Sequence, residues 1–160
     1  MTVHTIPPVY DRDSKILILG SFPSVASREV GFFYGHKQNR FWRVLAEVLD
    51  TPIPETVEEK KELLISHGIA LWDVIASCEI VGSADSTIKE AVPNDLGEIL
   101  SRANIRTIFV NGKCALKYYN KYLRDQVGRE AICLPSTSPA NAACSVGRLV
   151  GEWSAIRDYL

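Results

Sequence analysis

Lys15-Ile16-Leu17-Ile18-Leu19-Gly20-Ser21-Phe22-Pro23-Ser24 is the stretch on which the reading of this chain turns. Its first half is a short apolar run of strand length, and the Gly-Ser-x-Pro-Ser that follows ends the strand and turns the chain. A strand that is apolar on both faces is covered on both faces, as in a parallel sheet packed between helices. Two later segments repeat the arrangement. Thr107-Ile108-Phe109-Val110 runs into Asn111-Gly112, and Ala131-Ile132-Cys133-Leu134 runs into Pro135-Ser136-Thr137-Ser138-Pro139. Ligands of open α/β sheets sit beyond the carboxyl ends of the strands. The turns after Leu19, Val110 and Leu134 are therefore expected to gather along one sheet edge and to form the site.

Helical patterns separate these strands. Arg40 to Leu49 carries Phe41, Val44, Leu45, Val48 and Leu49 at helical spacing, with Asn39 placed as its N-cap. Thr56 to His67 opens with a capping box from Thr56 to Glu59 and closes at Gly68. Further helices are expected over Asn94–Ala103, Lys113–Leu123 and Val146–Tyr159, and a strand-like run over Ile69–Ile75. Ser77 to Pro93 shows no periodicity, and its Gly82-Ser83-Ala84-Asp85-Ser86 reads as a loop. Alternating strands and helices give an α/β fold: a three-layer α/β/α sandwich around a short, mainly parallel central sheet. Residues 1–160 are expected to form one domain, with 1–13 a peripheral N-terminal extension.

Composition narrows the function classes. The formal net charge is −1, which excludes a protein that coats nucleic acid through a broad basic surface, but allows a footprint on a few phosphates. Lys113, Lys117 and Lys121 fall on one helical face and read, taken alone, as a solvated surface. Cys78, Cys114, Cys133 and Cys144 lie far apart without C-x-x-C spacing, and His4, His36 and His67 are as scattered, so no metal site is expected. No apolar run approaches the roughly 20 residues of a membrane span. Met1 to Pro8 lacks the basic-then-apolar pattern of a signal peptide, so a cytoplasmic protein is expected.

The segment Gly31-Phe32-Phe33-Tyr34-Gly35-His36-Lys37-Gln38-Asn39-Arg40-Phe41-Trp42 is too polar to be all core and too aromatic to be plain loop. Tyr34 offers a stacking ring, Lys37 and Arg40 offer phosphate partners, and Asn39 offers an amide donor and acceptor. These are the groups needed to hold an extruded nucleobase.

Gly20 to Ser24 together with Leu134 to Ser138 resembles the two signature motifs of the uracil-DNA glycosylase superfamily. Gly31 to Trp42 resembles the Gly-Phe-x-Phe-x-His-Pro-x-Asn-Arg-Phe-Trp element of its mismatch-specific uracil/thymine members, with Lys37 where that element has Pro. All three occur in the family's order and span nearly the whole chain. Phe22 stands where the family carries a catalytic Asn or Asp, and Leu134 where its second motif carries Asn or His. The branch sharing both replacements is the hypoxanthine-DNA (deoxyinosine) glycosylase group, in which catalysis is assigned to the Asn of Asn-Arg-Phe-Trp.

That resemblance implies a monofunctional DNA glycosylase that flips a deaminated base, hypoxanthine first, and releases it from double-stranded DNA. It implies no cofactor, no strand cleavage, no membrane and a monomer. Asn39 becomes the catalytic residue, accepting a hydrogen bond from the attacking water. Gly20, Ser21, Phe22, Pro23, Tyr34 and His36 become the base pocket, with Tyr34 stacking, Phe22 as an apolar wall and His36 either a donor or a packing group. Lys37, Arg40, Gly112, Lys113, Ser136, Thr137, Ser138, Pro139 and Asn141 become the DNA contacts, with Pro139 or Asn141 the wedge that fills the vacated stack. Two alternatives stay open: a uracil or G·U/G·T mismatch glycosylase using Asn39, and an inactive DNA-binding module of the same fold.

Overall fold

A computed structural model of the protein describes residues 1–160. Its centre is a four-stranded parallel sheet in the order β3-β2-β6-β7, formed by β2 (Ile16–Gly20), β3 (Ile69–Asp73), β6 (Thr107–Asn111) and β7 (Ile132–Leu134). Register pairs Ile16 with Ile69 on one side and with Thr107 on the other, and Phe109 with Ile132. Every residue of β2 is buried, because it is an interior strand with helices on both faces. Ile16 and Ile18 point into one apolar cluster, with α2 (Phe41–Val48), α3 (Val57–Ser66) and α7 (Val146–Trp153). Leu17 and Leu19 point into the other, with α4 (Gly97–Arg102) and α5 (Lys113–Tyr122). Burying each such side chain contributes about 1.5–3 kcal/mol, so this strand is the anchor of both layers. No helix is long and apolar enough to cross a membrane.

The segment from Ser77 to Pro93, which shows no period in sequence, is largely strand on either side of the loop at 82–86. A second, antiparallel sheet runs β1-β4-β5, from β1 (Thr2–Val3), β4 (Ile75–Glu79) and β5 (Lys89–Pro93). Its pairing shifts register between Ile75 and Ser77 and again between Ser77 and Glu79, and β5 is largely exposed. Both features erase the alternation that would reveal a hairpin in the sequence. A 3₁₀ turn at Asp85–Thr87 joins the strands. The run Ile69–Ile75 divides at Val74, whose N–H donates to the Gly20 carbonyl as the chain passes from β3 into β4.

Residues 1–13, expected as a peripheral extension, are fastened into the fold. Thr2 and Val3 pair with β4, Val9 bridges Leu71, and Ile6 and Val9 belong to the larger core cluster. Apolar residues at these positions give the segment enough surface to bury. The remaining elements are α1 (Val25–Val30) and α6 (Arg124–Val127). α4 begins later than expected because Asn94 is used elsewhere: its N–H and side-chain amide donate to the carbonyls of Val74 and Asp73. α7 ends at Trp153 and tightens into a 3₁₀ turn over Ser154–Tyr159.

Candidate active site

The turns after β2, β6 and β7 meet at one edge of the central sheet, where a cleft of about 1060 Å³ opens. Two tryptophans fix its walls. Trp42 Nε1–H donates to the Phe33 carbonyl at 3.1 Å, pinning the 31–40 loop, and Trp153 Nε1–H donates to the Pro135 carbonyl at 2.9 Å, pinning the turn after β7. Each indole is anchored in the core while its single polar atom holds a loop.

Asn39 lies in this cleft at the head of α2. Its Oδ1 accepts from the Phe41 N–H and from the Thr137 hydroxyl, both at 2.9 Å. Thr137 is fully buried, its hydroxyl accepts from Asn111 Nδ2, and its N–H donates to Asn111 Oδ1. One chain of hydrogen bonds therefore ties the 31–40 loop to the ends of β6 and β7. It also fixes the amide's orientation, since only an oxygen can accept from both donors. Asn39 satisfies a first-turn N–H of α2, although the N-cap position itself is Arg40. The expectation that its oxygen accepts from a water needs correction. Both lone pairs are taken, and the free group is the Nδ2 amide, a donor.

Tyr34 stacks on Phe41 with ring centroids 4.1 Å apart and planes inclined by 19°, and it lines the cleft. Its φ of 53° is left-handed, a costly backbone state for a non-glycine residue and one concentrated at functional sites. The hydroxyl is buried, with the Asn111 amide as its polar neighbour but no hydrogen bond of good geometry. Burial first, and Asp73 second, push the phenol above its ordinary range. Phe22 is a buried wall, edge-on to His4 and under the Arg28 guanidinium. Gly20, Ser21 and Pro23 line the same cleft, as does the exposed His36, whose Nδ1 accepts from the Gln38 N–H. That bond makes His36 a loop-forming residue as it stands.

The expected phosphate contacts divide. Arg40 does not present its guanidinium to solvent. Its Nε, Nη1 and Nη2 groups donate to the carbonyls of Thr137, Cys144, Ser138 and Asn141, and its backbone N–H donates to Thr137 as well. Arg40 is a clamp on the loop after β7 rather than a free cation. Thr137, being buried, is likewise no phosphate ligand. The hydroxyls of Ser136 and Ser138 accept from the N–H groups of Ser138 and Ala140, and Asn141 Nδ2 donates to the Ser136 carbonyl. Asn141 thus shapes the loop from within, while Pro139 lines the cleft. Lys37 and Lys113 remain exposed. Gly112, at φ +97°, precedes α5, and a Cβ there would stand 2.9 Å from that of Ser136. The position admits only glycine because two strand-end turns touch there.

Three cleft residues escaped the sequence reading: Asp73, Asp85 and Asn111. Asn111 had a visible signal, an amide at the end of a strand already expected to point at the site. Asp73 had one too, as the sole charge in the apolar run Ile69–Ile75. Asp85 accepts from the Ser21 hydroxyl at 3.0 Å, and burial raises its carboxyl above the ordinary range. It sits in the unread hairpin and gave no signal.

Comparisons with known proteins give the family and the fold. The family model described as the uracil DNA glycosylase superfamily matches residues 7–150. A hypoxanthine DNA glycosylase of Methanosarcina acetivorans is 36% identical over 152 residues, covering 94% of each chain. A protein of the same description from Methanosarcina barkeri is 34% identical over 153 residues, covering 94% of this chain and 96% of its own. A solution NMR structure of a candidate uracil DNA glycosylase from Methanosarcina acetivorans superposes with a TM-score of 0.81 at 34% identity, covering 96% of this chain and 94% of that one.

Proposed function

We propose that this chain, which belongs to the uracil DNA glycosylase superfamily, is a DNA glycosylase that hydrolyses the bond between deoxyribose and a deaminated base, with hypoxanthine preferred. The relatives named hypoxanthine DNA glycosylase support that substrate. The observation that carries the reading is the Asn39–Thr137–Asn111 network, which brings the Asn-Arg-Phe-Trp element onto the ends of β6 and β7, beside the ring of Tyr34.

The reaction breaks C1′–N9 through a sugar of oxocarbenium character. The bonding electron pair leaves with the base, a water oxygen bonds C1′, and the water's proton ends on the released base. An electrophile of that kind needs a placed water more than an activated one. Asn39 places it by donation: an Nδ2–H holds one lone pair of the water and leaves the other directed at C1′. An amide is not basic at neutral pH, so Asn39 takes no proton.

The flipped base lies against Tyr34, whose other face is backed by Phe41. Phe22 and Leu134 close the pocket with apolar walls where the family's other branches carry polar groups. Lys37, Lys113 and the N-terminus of α5 meet the flanking phosphates. Pro139 is the wedge, since the Asn141 side chain is occupied within its loop. Residues 1–160 act as one domain, monomeric and cytoplasmic, on double-stranded DNA, and leave the strand uncut because no lysine occupies a Schiff-base position.

The test is a gel assay on duplexes carrying deoxyinosine, deoxyuridine or deoxyxanthosine, each followed by alkali. Alkali-dependent breaks fastest at deoxyinosine are expected. Faster release of uracil under single turnover would move the chain to the mismatch-specific reading, and no release from any duplex would leave a DNA-binding module.

A further inference from the structure

Asp73 closes β3 directly beneath the cleft and is 3% exposed. Its two oxygens differ. Oδ2 is buried with no hydrogen-bond partner. Oδ1 lies over Gly20, so close that a Cβ on Gly20 would stand 2.5 Å from it and 3.0 Å from the Tyr34 hydroxyl. The glycine of the first motif is thus the gap through which one carboxyl oxygen and one phenol oxygen face the base site. A buried polar group without a partner is costly; the Tyr34 hydroxyl is one and Asp73, through Oδ2 on its His4 side, is another, while Oδ1 of the same carboxyl is the oxygen beside Gly20.

We propose that Asp73 reads the base, its Oδ1–H donating to the exocyclic oxygen that deamination installs at C6 of the purine. This rests on the glycosylase reading above and deepens it. Deamination exchanges an amino donor for an oxo acceptor, so a donor fixed at that point accepts hypoxanthine and opposes adenine. The same bond strengthens as the base departs, because negative charge flows onto that oxygen in the transition state.

The surroundings keep the proton on the carboxyl and on Oδ1. His4 is the one basic group near it, with Nε2 at 3.9 Å from Oδ2. The proton on that nitrogen is donated to the Ile75 carbonyl at 2.9 Å, and burial lowers the ring's pKa, so no cation faces Asp73. The nearby Nε2–H dipole favours Oδ2 as the carbonyl-like oxygen, which leaves the hydroxyl at Oδ1. Tyr34 from the 31–40 loop and Asp85 from the hairpin turn are the other titratable neighbours; Cys114 and Ser21 border Asp85, and Arg28 lies over Phe22. Burial first and Asp85 second raise Asp73 to about 7.

The experiment compares parent, Asp73→Asn and Asp73→Ala in single-turnover excision of hypoxanthine from pH 5.5 to 9, with thermal melts of all three. An Asn amide keeps a permanent donor at the Oδ1 position with its oxygen toward His4. Parent activity should fall about tenfold per pH unit above about 7. Asp73→Asn should match the parent near pH 6 within about fivefold and lose that alkaline fall, while Asp73→Ala should stay about 100-fold below the parent's pH 6 rate across the range. An Asp73→Asn variant that folds yet is as inactive as Asp73→Ala, or keeps the parent's alkaline limb, overturns the proposal. Absence of excision by the parent itself would instead defeat the glycosylase reading.

Discussion

A neutral carboxyl in the core has a signature in folding that is independent of catalysis. Asp73 has an ordinary value of 3.8 and rises to about 7 in the folded protein, through burial and then Asp85. Between these values the unfolded chain has released a proton that the native state still holds. Fewer protons are bound in the unfolded state, so stability falls as the pH rises across this window and levels off above about 7. The direction is opposite to that of a salt-bridged carboxylate. At about 1.4 kcal/mol per unit, the Asp73 contribution declines by about 2–3 kcal/mol between pH 5 and pH 8. Asp73→Asn removes this one titration and leaves the others in place. Urea denaturation of parent and variant at half-unit intervals should therefore show the difference in unfolding free energy growing by that amount in favour of Asn. In melts of a domain this size, the relative gain is about 5–10 °C. A difference that stays flat with pH, or grows in favour of the parent, would refute a carboxyl that is neutral because it is buried.

Three further outcomes are expected. Asn39→Asp keeps an oxygen for Phe41 and Thr137 but removes the Nδ2 donor, so it should melt near the parent and lose base release; Asn39→Ala should lose both that activity and about 1–2 kcal/mol of stability, with duplex binding retained by gel shift. Gly20→Ala should cost about 1–3 kcal/mol by chemical denaturation and reduce excision, because the new methyl meets Asp73 and Tyr34. Duplex affinity against salt should give a log–log slope of about −2 to −3, reduced by about 1 in Lys113→Met, and left unchanged in Arg40→Met, which should instead lose stability.

The layers of this fold were legible because its strands are short, apolar and stopped by Gly, Ser and Pro, and its helices carry regular stripes. Both signals come from burial on known faces. β4 and β5 were not legible, since shifted register and exposure leave no period to read. The site was half legible. Gly20, Tyr34 and Asn39, from two separate motifs, line one cleft. Residue type alone misassigned Arg40 and Thr137, because a guanidinium serves main-chain carbonyls, and a hydroxyl serves side-chain amides, as readily as either serves phosphates. Which partner they take depends on a loop 97 and 98 residues away. Asp73 showed in the sequence only as a lone charge in an apolar run; that no cation faces it is a property of the fold.

The Arg40 clamp turns two distant segments into a single lever. Pro139 stands between Ser138 and Asn141, whose carbonyls the guanidinium holds, and Arg40 is the chain neighbour of Asn39. Under the proposed function, a load on that proline would reach the Asn39 amide through this one guanidinium, so that probing the stack and aligning the water would be mechanically joined.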